Sequence, residues 1–129
     1  MSYLRFVIPQ NDEDSGRRQG LFQALYNLDK SGALFPHEKR QWDEIKQWFD
    51  MKLQKPKSFS RSSKPHSKNV AISWFKDTAV EHIRQMRSLM EILEEHGIHV
   101  ETLRTERPGY IVYEDKFQVA AVPFTETTT

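Results

Sequence analysis

Residues 69–106 read NVAISWFKDTAVEHIRQMRSLMEILEEHGIHVETLRTE, and the change of pattern along them decides the fold. NVAISWF, ending at Phe75, is a short apolar run that suits a buried strand. Thr78-Ala79-Val80-Glu81 fits the S/T-x-x-E capping box, in which hydroxyl and carboxylate each satisfy a free backbone N–H at a helix start. Ala79, Ile83, Met86, Met90 and Leu93 then fall along one helical face, Val80, Leu89 and Ile92 widen it, and Gly97 supplies the stop. IHVETLRTE returns as a strand. Strand, helix and strand in this order predict a parallel pair, Val70–Phe75 beside Ile98–Glu106, joined by a right-handed crossover.

Working outward, Leu4, Phe6 and Ile8 alternate with Tyr3, Arg5 and Val7, so SYLRFVIP reads as a first strand that Pro9 stops. QNDEDSG is a polar loop in which Asp14 or Ser15 could cap a helix. Leu21, Leu25 and Leu28 recur at helical spacing with Phe22 and Ala24, and Ser31-Gly32 end that segment. Pro36 suits the first turn of a second helix, whose core stripe is Trp42, Ile45, Phe49 and Leu53, widened by Trp48. Near the end, Pro108-Gly109 fills the two central positions of a type II turn, and YIVY and FQVAAVPF flank a tight Glu-Asp-Lys turn. The last three strands are expected to form an antiparallel meander. The fold class is α+β: a single domain over 1–124, order β-α-α-β-α-β-β-β, with a mixed sheet of about five strands and helices mainly on one face. A flexible basic loop occupies 54–69 and a tail 125–129.

The 129 residues carry 19 basic and 18 acidic side chains, a net charge of +1, which argues against a dedicated nucleic-acid coat. The charge is unevenly spread. From Met51 to Lys76 there are seven basic residues and no acid, whereas Asp12, Glu13, Asp14 and Glu91–Glu106 concentrate acids. Cysteine is absent, which excludes disulfides, thiolate metal sites and thiol nucleophiles. The apolar run at the N-terminus is too short for a secretion signal, and no apolar stretch approaches the ~18 residues of a membrane span. A cytoplasmic location without membrane contact is expected.

Two surface patches stand out. KPKSFSRSSKPHSK at 55–68 interleaves Lys55, Lys57, Arg61, Lys64 and Lys68 with serines, Phe59 and His66. It reads either as a solvated connector or as a mobile cation-rich surface in which Phe59 offers a stacking platform to a base. Arg104, Arg107, Tyr110 and Tyr113 gather around the Pro-Gly turn, residue types that dominate interface hot spots. His96 and His99 flank Gly97 beside Glu94, Glu95 and Glu101, but their spacing does not put two imidazoles on one helical face. They read as helix-end histidines favoured by the C-terminal dipole, with no metal or other cofactor expected. His82, one turn into the best helix, reads as a satisfied boundary residue before a general base.

The segments AISWFKDTAVEHI (71–83) and LRTERPGYIVYEDKFQVAAVPF (103–124) resemble small uncharacterised bacterial proteins of similar length. The resemblance spans about 70–124 and implies a bacterial cytosolic origin; it implies no activity and transfers no functional residue. The leading expectation is therefore a non-enzymatic module that binds another protein. RNA or DNA binding through the basic loop 52–68 is one alternative, and an enzyme whose site assembles around His82 is another. No sequence feature sets the oligomeric state.

Overall fold

Strand β1 (Tyr3–Asn11) is apolar on both faces at its centre: Leu4, Phe6 and Ile8 are buried, and so is Val7 from the opposite side. It does not stop at Pro9. The pairing of β1 with β2 (Arg18–Gly20) shifts register between Ile8 and Asn11, and a bulge is where a strand tolerates a residue with no N–H to donate. These elements belong to a computed structural model that describes residues 1–11, 18–53 and 71–125. The basic segment at 54–69, with the sequence-predicted residues Lys55, Lys57, Phe59, Arg61, Lys64, His66 and Lys68, lies outside the described residues, as do Asp14 and Ser15.

The chain is α+β. Among the described residues, six strands and three helices follow the expected order, with the short β2 added before the first helix. They divide into two units: 1–5 with 71–83 and 102–125, and 6–11 with 18–53 and 84–101. In the first unit, β3 (Ile72–Lys76) pairs antiparallel with the start of β1, Leu4 opposite Phe75. On its other edge β3 pairs antiparallel with β6 (Gln118–Val122), Trp74 opposite Val119. β5 (Tyr110–Glu114) pairs antiparallel with β6, Ile111 opposite Ala121. Ile72, Trp74 and Val119 form the core here, with Tyr3, Leu103 and Ile111 packed against them.

Three expectations about the sheet are corrected. β4 (Glu101–Thr105) is not the neighbour of β3, whose two edges are taken by β1 and β6; it pairs with β1 instead. The crossover rule fixes a hand but not how many strands the helix passes over. The same placement removes β4 from the expected meander, leaving β5 and β6 as a hairpin. Every pairing with a defined register is antiparallel, so the β3–β4 parallel pair on which a mixed sheet rested is absent.

In the second unit, α1 (Leu21–Lys30) buries Leu21, Ala24 and Leu25. It closes in a Schellman motif, where Ala33 N–H bonds the Leu28 carbonyl and Gly32 takes φ of +74°. α2 (Pro36–Lys52) carries Pro36 at its first position and buries Trp42, Ile45 and Phe49. Phe22 of α1 meets Phe49 edge-on at 5.1 Å between centroids and Trp42 at 5.7 Å. α3 (Val80–Glu95), whose residues up to Ile83 belong to the first unit and the rest to the second, buries His82, Ile83, Met86, Leu89, Ile92 and Leu93, a stripe turned slightly from the expected one: Val80 is 57% exposed. Ile83 N–H bonds the Ala79 carbonyl, so the helix begins one residue later than a cap at Thr78 requires. No helix of the described residues is long and apolar enough to cross a membrane.

Candidate functional site

The second unit holds an open cleft of about 380 Å³ lined by Phe35, His37, Glu38, Gln41, Glu91, Ile92 and Glu95. One wall is the start of α2 and the other the last turns of α3. Local sequence accounts for both. Pro36 at the first helical position fixes φ where no N–H is needed, and Phe35 before it is extended, with φ −68° and ψ 157°. Phe35 is 61% exposed. Its ring plane lies within 4° of the His37 ring, with centroids 6.2 Å apart. At the other wall Gly97, with φ of +76°, ends α3 in a second Schellman motif, where Ile98 N–H bonds the Leu93 carbonyl.

Glu38 joins these two ends. Its side chain is buried, and Oε1 accepts the Phe35 N–H at 2.9 Å and lies 2.8 Å from His96 Nε2. The first bond is the carboxylate half of a capping box; phenylalanine has no oxygen with which to supply the other half. Burial pushes the Glu38 carboxyl up, but the His96 and Phe35 hydrogen bonds and the charges of His96 and His37 outweigh it. The group ends below its ordinary value and is held as the carboxylate. His96 is thus a helix-end histidine, as its place before Gly97 indicates, but one bonded to a residue 58 positions away. His99 is exposed.

Sequence reasoning missed Glu38. A signal did exist: a Glu two places after a helix-starting proline is positioned to reach back to the N-cap N–H. Only its partner across the chain was unreadable.

The first unit carries a second polar network, in the β5–β6 turn. Asp115 Oδ1 accepts the N–H groups of Phe117 and Gln118, and Oδ2 accepts Tyr113 Oη–H at 2.9 Å and Gln118 Nε2–H at 3.1 Å. Burial pushes the Asp115 carboxyl up, while these donors hold it below its ordinary value; the same burial and the Asp115 charge raise the Tyr113 hydroxyl. Tyr113, expected in a binding patch, is therefore tied into a turn. Arg104, Arg107 and Tyr110 are exposed, and the Arg107 guanidinium lies 5.1 Å from the centre of the Phe124 ring.

His82 is 3% exposed, with Phe117 at 4.3 Å and Phe75 at 6.2 Å between ring centroids. It does not line the cleft. Among the described residues, no three His, Asp or Glu side chains converge as metal ligands would. Comparison with family models, curated proteins and solved structures finds no match to this chain.

Proposed function

We propose that the protein is a non-enzymatic, protein-binding module of the cytoplasm, and that the cleft between the start of α2 and the end of α3 is its docking site. The observation that carries this reading is Phe35. A ring 61% exposed at the rim of a concave site is costly to leave in water and well placed to be covered by a partner. The stacked His37 ring extends the apolar surface, while Gln41, Glu91 and Glu95 offer a polar rim. Those two exposed carboxylates favour a partner segment with Lys or Arg next to an apolar side chain. The cleft volume lies within the ~300–1,000 Å³ range of ordinary binding sites, enough for one or two side chains of such a segment. The cytoplasmic assignment rests on a chain without cysteine and on the resemblance of 70–124 to bacterial proteins.

The test is selection of a random peptide library displayed on phage against the intact protein. Enriched peptides should pair a basic residue with an apolar one and bind Phe35→Ser at least about tenfold more weakly. Phe35 is exposed, so this variant should fold as the wild type does. Peptides that bind Phe35→Ser and wild type equally would remove the cleft from the reading.

A further inference from the structure

We infer that Glu38 is a positioning residue: its carboxylate holds the start of α2, and with it the exposed Phe35 ring, against the last turn of α3, so that the mouth of the cleft loosens when that carboxylate is lost. The geometry is economical. One buried oxygen, Oε1, meets two donors, the N–H of Phe35 just before α2 and Nε2 of His96 just after α3. Both donors belong to helix ends, where backbone groups lack intrahelical partners and fraying begins. The buried anchors of the same helices, Trp42 and Ile45 in α2 and Leu89, Ile92 and Leu93 in α3, are separate side chains that hold each helix without Glu38. Release of the carboxylate therefore frees the ends before it disturbs the core.

The rings follow the backbone. Phe35 lies 6.0 Å from the His96 ring and 6.2 Å from the His37 ring, so moving the N-cap moves the cleft wall. The charged groups around Glu38 are set against one another. His96 from the end of α3 and His37 from α2 favour the carboxylate, and Glu91 and Glu95 add negative charge to the cleft from α3. A neutral His96 keeps the bond as long as Nε2 carries its proton, and a charged one turns it into an ion pair. Loss of the Glu38 charge is what weakens both bonds at once.

The consequence for docking rests on the reading proposed above, but the test needs no partner, so the two fail separately. Amide exchange and proton resonances are measured by NMR on the free protein as wild type, Glu38→Gln and Glu38→Ala. Glu38→Ala should speed exchange of the Phe35 amide by about tenfold or more relative to the Trp42 and Ile45 amides. Glu38→Gln, which keeps the shape and an acceptor, should restore part of the difference. In wild type, acidification should move the Phe35 amide resonance with a single carboxylate titration. Equal acceleration at Phe35, Trp42 and Ile45 would mean that Glu38 merely supports the fold. An unchanged Phe35 amide in both variants, or no carboxylate titration at that amide, would also overturn the inference. Should Glu38→Ala fail to fold, Glu38→Gln and the wild-type titration decide it.

Discussion

Asp115 in the first unit and Glu38 in the second are both carboxylates whose pKa is held below its ordinary value, yet they organise different distances along the chain. Asp115 collects donors from Tyr113, Phe117 and Gln118, all within three residues, and fixes one turn. Glu38 takes one donor three residues away and another 58 away, and fixes where two helix ends meet. A local network shapes the segment that encodes it. A long-range one shapes a surface, and the cleft between the start of α2 and the end of α3 sits on the long-range one.

The comparison breaks most sharply at Gly109. Its φ is +135°, and an added Cβ would lie 2.1 Å from the Val122 carbonyl oxygen, which as backbone has little room to yield. Gly109→Ala should destabilise the protein at or beyond the top of the ordinary ~0.5–3 kcal/mol range, read by denaturant unfolding. A loss well under that would show the first unit to be less rigidly set by its turns than the pairing of β5 and β6 implies.

Glu38→Ala comes next. It leaves the Phe35 N–H and His96 Nε2 without their acceptor and should cost about 1–3 kcal/mol. The pH dependence has a definite sign. Because the folded carboxyl is held below its ordinary value of 4.5, its contribution is complete above that pH and disappears as pH falls through the lower folded value. Unfolding midpoints of wild type and Glu38→Ala should therefore converge on acidification and stay apart at neutral pH.

Asp115→Ala should cost less, about 0.5–1.5 kcal/mol, because the turn is half-exposed and water can replace part of what is lost. Its contribution too should fade with acid, below the ordinary 3.8 of an aspartate. If Asp115→Ala proved more damaging than Glu38→Ala, the contrast between local and long-range carboxylates would have the wrong order. Lys39→Ala sets the floor. Its ammonium bridges Asp29 at 2.9 Å and Asp43 at 3.0 Å, but in solvent, where such pairs contribute little. The unfolding midpoint should not change.

The same contrast explains what could be read in advance. Elements whose cause is local were legible: the Gly32 and Gly97 helix ends, Pro36 opening α2 and the β5–β6 hairpin around Asp115. Placement decided by partners far along the chain was not. β1 takes the edge of β3 that β4 was expected to fill, and nothing within 69–106 announces this. Pro9 was expected to end β1 because the shift that accommodates it depends on pairing with β2. α3 starts at Val80, one residue later than a cap at Thr78 requires, while the carboxylate half of a capping box operates at Phe35 and Glu38. Of the expected site residues, Tyr113 is committed to the turn, and Arg104, Arg107 and Tyr110 remain a surface apart from the cleft lining.

The most direct measurement is an NMR footprint of a phage-selected peptide on the isotopically labelled wild-type protein. Shifts should concentrate on residues 35–41 and 91–96, and the same peptide should leave the Phe35→Ser spectrum nearly unmoved. Shifts confined to the turn at 104–113 or to the basic segment at 55–68, with the cleft silent, would contradict the account.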